Sequence, residues 1–476
     1  MGLLQFRKIL SIDPRLFMLQ CFGFRRRPVL WSLLLAAFGL LTERIWSFLY
    51  IHPTFVMPAT RSPSEVASSL LATKNLLLES IVVLQSLWAG YGQICRITAT
   101  SNPSPKSSEA SSKTLSLSNS ATLQNARSYI IKIITPPPSK ANDEGHTRKI
   151  LSYQVEQYFY AHLAPQLPPS IPVAKHLASM NEKHPDGTVT TAMILNDLKQ
   201  DYPVAGEKRD VLNPTQVHAA IDWLSGFHGF WWPRVEEIDR RSLVRPPLKE
   251  LTCDEEEARN KTVWLNGGYT YLATRKTEYA NLAKDHEAEW NEALTDWESD
   301  EFSVSDLVAD VLAPKRTGWS PTQEYMTLIH GDVKSENLFT SKSGEEVVFY
   351  DFQYTGLGLG VCDLAKLFTC SVPLEMLFDI TPLPRELPMQ LGEKKLLERY
   401  WIRLRKESGK DYDWDVFVGH WETALIDWLR FQASWGFWGN TEWLEARARS
   451  ILKNETWKAA IAGNARMSGL WEEADV

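Results

Sequence analysis

The chain is 476 residues long, 44% hydrophobic and 23% charged, which suits one large two-lobed domain or two ordinary domains and excludes a disordered chain. Its formal net charge of −7 offers nothing that would attract nucleic acid in bulk. The five cysteines (Cys21, Cys95, Cys253, Cys362 and Cys370) form no CxxC pairing, which argues against a disulfide-built secreted domain and a zinc site and for a reducing compartment.

In chain order, the first feature is a basic start. Residues 1–27 carry Arg7, Lys8, Arg15, Arg25, Arg26 and Arg27 against one acid, Asp13. The apolar run 29–41 that follows falls short of the about twenty residues needed to cross a hydrocarbon core, and Glu43 and Arg44 break it. Extending the run through the apolar patch 45–51 would carry both charges into the bilayer. Residues 1–60 therefore read as an extension: an interfacial anchor touching a membrane surface through 1–51, a mitochondrial presequence, or an arm packed on the fold. A true span is the fourth reading. Phe6 stands where myristoylation needs Ser or Thr. The expected location is intracellular, with mitochondrial and membrane-associated alternatives to the cytoplasm.

Ser62-Pro63-Ser64-Glu65 opens a helix predicted to run to about residue 78. A strand over 81–88, a turn at Ala89-Gly90-Tyr91-Gly92 and a return strand over 93–98 read as a hairpin. Residues 99–122, rich in Ser, Pro and Lys, are expected to form a mobile insertion. A β-branched strand over 128–134 ends at Pro136-Pro137-Pro138, helical spacing covers 149–163, and a further strand covers 188–195. Helices are predicted over 215–230, over a long charged stretch 269–297, and throughout 393–471. Short strands return at 338–339 and 347–350. The order describes an α+β plan of two lobes with a cleft: a strand-rich lobe over 61–198 and a helical lobe over 199–476.

One ordered set of residues carries chemistry. Phosphoryl transfer needs the γ-phosphate held in line, its charge neutralised by a divalent cation, and the attacking hydroxyl oriented by a base. In His330-Gly331-Asp332-Val333-Lys334-Ser335-Glu336-Asn337, Asp332 is placed to accept a hydroxyl proton and Asn337 to offer an amide oxygen to a metal. Asp351 follows the apolar strand Val347-Val348-Phe349-Tyr350, where a carboxylate facing a cleft suits a hard cation. Lys334 reads either as a contact to the γ-phosphate or as a solvated lysine. No HExxH or HxH grouping supports a zinc enzyme.

The HGDxxxxN stretch followed by Asp351-Phe352-Gln353 resembles the aminoglycoside phosphotransferase and choline kinase superfamily, whose fold is similar to that of protein kinases. Within it the chain is similar to the CHK kinase-like, ecdysteroid-kinase-like group. The phrases that carry this are Leu87-Trp88-Ala89-Gly90-Tyr91-Gly92, Ser152-Tyr153-Gln154-Val155-Glu156, Tyr350-Asp351-Phe352-Gln353 and Asp363-Leu364-Ala365, over roughly 65–455. The resemblance implies a protein-kinase-like fold, small β-rich lobe first and larger helical lobe second, using ATP and Mg2+. It implies Asp332 as catalytic base, Asn337 and Asp351 as magnesium ligands, and Lys132 on the third strand reaching the phosphates with Glu156 as its partner. Glu144 is a rival for that last role. Adenine would meet main-chain groups near Asn196, Asp197 and Leu198, and Gly90 and Gly92 would let the hairpin cover the phosphates. His330 and Asp363 are expected to support the loop. Gly331 in place of the protein kinases' Arg, Gln353 in place of their Gly, and the missing Ala-Pro-Glu argue against a protein substrate, and the incomplete GxGxxG weakens the phosphate cover.

The expected activity is transfer of the γ-phosphate to a hydroxyl of a small molecule, whether a lipophilic sterol-like alcohol, an amino alcohol or a sugar. A catalytically silent nucleotide-binding module is the alternative. Trp414, Trp421, Trp428, Trp435, Trp438 and Trp443 recur at helical spacing, which marks a buried face or, in part, an acceptor wall. The charged run 284–310 reads as a solvated helix face and loop.

Overall fold

The computed structural model describes residues 61–102, 126–139, 142–185, 188–252, 260–297, 302–313, 315 and 320–470. Residues 99–101, expected in the insertion 99–122, are instead strand, paired to Leu76–Leu78, and the rest of that insertion beyond 102 and the extension 1–60 lie outside the described residues. Among the described residues no helix is long and apolar enough to cross a membrane.

Helix α1 (Pro63–Ala72) starts as its capping residues require. The Ser62 hydroxyl accepts the Glu65 N–H, and the Glu65 carboxylate takes the Ser62 N–H in return. The helix ends six residues before the expected 78, because Leu76 to Leu78 join strand β1 (Leu76–Ser86) and pair with β2 (Gly92–Ser101). Cross-strand pairing overrides the helical preference of leucine there. Strands β3 (Arg127–Ile134), β4 (His176–Lys183) and β5 (Val189–Asn196) complete an antiparallel sheet in the order β1-β2-β3-β5-β4. β4 was not expected, since His-Leu-Ala-Ser-Met-Asn-Glu-Lys lacks the β-branched residues that mark a strand.

The two faces of this sheet have different tasks. Cys95, Ile97, Ala99, Ile131, Ile133, Ala192 and Ile194 form one core with Val66, Ala67, Leu70 and Leu71 of α1. By the alternation of strand side chains, Lys132 and Met193 point to the other face, where helix α2 (Glu144–Tyr158) lies. α2 begins five residues ahead of the expected 149, capped by Asp143, whose carboxylate accepts the His146 N–H.

The helical lobe opens with α3 (Pro214–Trp231), which has an Asn213–Gln216 capping box. After α4 (Pro247–Glu250), the long helix expected over 269–297 is broken into a turn at Leu272–Thr274, α5 (Lys276–Lys284) and α6 (Asn291–Thr295). The break has a cause outside the segment: the Glu144 carboxylate of α2 accepts the N–H groups of Lys276 and Thr277 and fixes a helix start there. The charged run 284–310 is also not a solvated face throughout. Its end forms α7 (Val304–Leu312), where Val304, Leu307, Val308, Val311 and Leu312 are core.

The loop region is carried by two small sheets. β6 (Val204–Ala205), β8 (Leu338–Thr340) and β9 (Val347–Phe349) form one, and β7 (Thr327–Ile329) with β10 (Gly356–Gly358) the other. Helices α8 (Val361–Cys370), α9 (Leu391–Ser408), α10 (Trp414–Trp435), α11 (Thr441–Leu452) and α12 (Glu455–Met467) complete the lobe.

Candidate active site

The loop 330–337 leaves β7 and returns on β8, and Asp363 at the start of α8 fixes its shape. This fully buried carboxylate accepts the N–H groups of His330 (2.7 Å) and Gly331 (2.9 Å) and faces His228 Nε2 at 3.1 Å. Burial would push the Asp363 carboxyl up, but the hydrogen bond and charge interaction with His228, and Lys366 beyond it, hold it below the usual range. The Lys366 ammonium donates to the Gly331 carbonyl. Gly331 has φ +86°, and a Cβ there would lie 2.1 Å from the Tyr354 carbonyl oxygen, so only glycine fits.

His330 is buried and neutral. Its Nε2 donates to the Tyr350 carbonyl (2.9 Å), so Nδ1 is left to accept the Asp332 N–H (3.2 Å). Burial lowers its pKa. It thus shapes the loop and aims Asp332. The Asn337 amide nitrogen donates to both the carbonyl (2.8 Å) and the Oδ2 (3.0 Å) of Asp332. Lys334 Nζ lies 3.2 Å from the same Oδ2 and 2.9 Å from Glu336. Burial would lower the Lys334 pKa, but Asp332, Glu336 and Asp351 reverse that and raise it.

Lys132 joins the two lobes. Its Nζ is 2.7 Å from Glu156 on α2 and 3.0 Å from Asp351 beyond β9. Desolvation opposes its charge, yet Asp351 and Glu156 overcome it and raise the pKa. For Glu156, burial dominates and pushes the carboxyl up to about 7 despite Lys132. Asp351 goes the other way, since Lys132, Lys334 and the Gln353 amide outweigh its burial and lower its pKa. Glu144 points to α5 instead, so the lysine's partner is Glu156.

Asp351 holds φ +67°, ψ 57°, a left-handed conformation that costs a non-glycine residue about 1–3 kcal/mol. Gln353 Nε2 donates to its Oδ1 (2.6 Å), and Phe352 stacks on Phe159 at 3.9 Å with its ring 4.5 Å from His330. For a divalent cation the donors fit: with its nitrogen committed to Asp332, Asn337 has its amide oxygen to offer beside the Asp351 carboxylate. Two hard oxygen donors, completed by phosphate oxygens, suit Mg2+.

The remaining expected residues sit above this centre. Asn196 closes β5, and its Oδ1 accepts the Lys175 N–H. The Asp197 carboxylate is taken by Arg96 (2.7 Å), Ser128 (2.7 Å) and the Lys199 N–H. The Leu198 carbonyl accepts the N–H groups of Asp201 and Tyr202. A Cβ on Gly92 (φ +140°) would lie 2.0 Å from the Ile133 carbonyl oxygen, so this glycine lets the hairpin lie close on β3. The hairpin tip, with Gly90, is tied to α2: Tyr91 shares a 2.6 Å hydrogen bond with His146, and the Lys149 ammonium sits 4.5 Å over the Trp88 ring.

Beside the loop stands an aromatic wall. Tyr269 N–H donates to the Gly331 carbonyl, and the Arg275 guanidinium lies 4.0 Å over the Tyr269 ring and 5.5 Å from Trp435. Trp435 and Phe437 are about half exposed, at 47% and 44%. Burial pushes the Cys370 thiol up to about 12, with Trp438, Lys334 and Asp332 near enough to act on it. Of the six spaced tryptophans, Trp421, Trp428 and Trp443 are core, and Trp414 packs on Trp401. Ser152 and Gln353, joined by a 3.0 Å hydrogen bond next to Asp351, carry no site signal of their own in the sequence, although both lie in the phrases that carry the resemblance.

This sheet order, a lysine on the third strand paired to a helix glutamate, and a helical lobe bearing the loop define a protein-kinase-like two-lobed fold. The chain belongs to the ecdysteroid kinase-like family, whose family model matches residues 108–381. No curated protein matches. Among solved structures it is similar to an amicoumacin kinase in complex with AMP-PNP, Ca2+ and Ami, at 12% identity over 84% of this chain and 90% of that one, TM-score 0.33. An ethanolamine kinase of Plasmodium vivax matches at 12% identity over 88% and 96%, TM-score 0.37. A choline kinase of Cryptosporidium parvum matches at 10% over 83% and 91%, TM-score 0.36. Likenesses this distant carry no weight for the function.

Proposed function

We propose that the chain is an ATP-dependent kinase that transfers the γ-phosphate to a hydroxyl of a small lipophilic alcohol. The observation that carries it is Lys132, held by Glu156 from one lobe and Asp351 from the other, above a loop that presents Asp332. Lys132 would bind the α- and β-phosphates, and main-chain N–H groups near Asp197 and Leu198 would meet adenine, since the Leu198 carbonyl and the Asp197 side chain are committed. Magnesium, held by Asn337 and Asp351, would neutralise the phosphate charge. Asp332, oriented by Asn337, accepts the hydroxyl proton as the alcohol oxygen bonds to the γ-phosphorus. The bond from that phosphorus to the β–γ bridging oxygen breaks, and ADP leaves with the electron pair. Lys334 stands beside Asp332 to offset charge on the transferring group.

The wall favours an apolar acceptor over an amino alcohol. Arg275 already covers Tyr269, so a second cation there would meet like charge, whereas Trp435 and Trp438 offer ring surface. A catalytically silent nucleotide-binding module is the second reading. Its support is the hairpin tip, where the Gly90 and Tyr91 N–H groups bond back to Leu87 and Trp88 rather than standing ready for phosphate. Calorimetry with AMP-PNP, with and without Mg2+, combined with phosphate release on an alcohol panel, separates the two. Binding without transfer supports the module, and no binding overturns both.

A further inference from the structure

Helix α2 turns a polar ridge inward. Glu144, Arg148, Ser152 and Glu156 recur every fourth residue along about 18 Å of helix, and all are buried, at 5%, 6%, 0% and 3% exposure. A buried helix face is ordinarily apolar, and buried ions are costly unless each one is paired. Here each is paired with a partner outside the helix. Glu156 holds Lys132, and Ser152 holds Gln353, which holds Asp351. Those two serve the proposed phosphate-transfer centre directly.

The upper pair does not touch that centre. Arg148 donates to the Thr274 carbonyl (2.6 Å) and to Glu278 Oε1 (3.2 Å). Glu144 accepts the N–H groups of Lys276 (3.2 Å) and Thr277 (3.0 Å), and the Thr277 hydroxyl. Glu278 also holds Arg275 at 2.9 Å, the guanidinium behind the aromatic wall.

We infer that Glu144 and Arg148 are positioning residues of the nucleotide site: they fasten the start of α2 to segment 274–278 and so hold Glu156 against Lys132. This rests on the nucleotide site proposed above. A helix moves as a rod, so its orientation needs two fixed points. Lys132 and Gln353 hold its later turns through Glu156 and Ser152, and the contacts of Glu144 and Arg148 hold its start. With the start released, a shift of Glu156 by about 1 Å would take the Lys132–Glu156 bond out of hydrogen-bond range.

The test is calorimetric binding of magnesium AMP-PNP to the full chain in the wild type, Arg148→Ala, Lys132→Ala and the double variant. The latch predicts that Arg148→Ala weakens binding about tenfold or more, as expected when a site loses one charge-assisted hydrogen bond. It also predicts that the double variant binds no more weakly than Lys132→Ala alone, because Arg148 acts through that lysine. Unchanged affinity in Arg148→Ala, or losses that add in the double variant, would overturn the inference while leaving the nucleotide site standing. Unchanged affinity in Lys132→Ala would overturn the nucleotide site and the latch together. Should Arg148→Ala fail to fold, Glu278→Gln, which keeps the volume and removes the charge, carries the same comparison.

Discussion

Lys132 and Glu156 come from a strand and a helix 24 residues apart, and they meet at 2.7 Å with Glu156 buried and Lys132 largely so. The proximity has a pH signature. Burial raises the Glu156 carboxyl from its ordinary 4.5 to about 7, so the ion pair is complete only above that value. KM for ATP should rise as pH falls from about 8 to about 6, by at most about tenfold per unit. Glu156→Gln should raise KM at high pH and flatten this profile. In stability the sign is opposite. A raised folded pKa contributes stability below about 4.5 that is lost as pH rises through about 7, and the same variant removes that slope from melting curves.

Asp363 is expected to govern stability. Asp363→Ala strands the His330 and Gly331 N–H groups and the buried Lys366 and His228, and should cost about 3–5 kcal/mol in denaturant unfolding. Because the folded pKa is depressed, the contribution is present above about 3.8 and is lost as pH falls below it.

Gly331→Ala would act on both chemistry and folding. The new Cβ, 2.1 Å from the Tyr354 carbonyl oxygen, must displace a loop that carries Asp332. Steady-state assays should show kcat falling about a hundredfold, and the melting temperature should fall as well because the loop backbone must shift.

Trp435→Ala and Trp438→Ala test the acceptor wall. Each should raise KM for an apolar alcohol about tenfold with kcat and KM for ATP unchanged, the pattern of lost ground-state binding. An unchanged acceptor KM in both would place the acceptor elsewhere.

Much of the centre was legible because its signals are local. The spacing of His330, Asp332 and Asn337, the strand before Asp351 and the β-branched run around Lys132 each declare themselves within a few residues. What was hidden depends on partners distant in sequence. The break before α5 comes from Glu144, 132 residues away, and no periodicity within 269–297 announces it. The polar ridge of α2 reads as ordinary helix until Thr274, Glu278 and Gln353 are brought against it. β4 has no strand composition and forms because β5 offers an edge. The wall could be narrowed to Trp435 and Trp438 only once helix facing was known.

The central claim is that Asp332 serves phosphoryl transfer to an alcohol. Its most direct measurement is transfer of label from γ-labelled ATP to a panel of lipophilic alcohols, amino alcohols and sugars by the wild type and Asp332→Asn, with AMP-PNP affinity measured in both. The account predicts a labelled organic phosphate from the wild type in the presence of a divalent cation, and none from Asp332→Asn at near-normal nucleotide affinity. Equal labelling by the two proteins, or nucleotide binding by the wild type with no transfer to any alcohol, would contradict it.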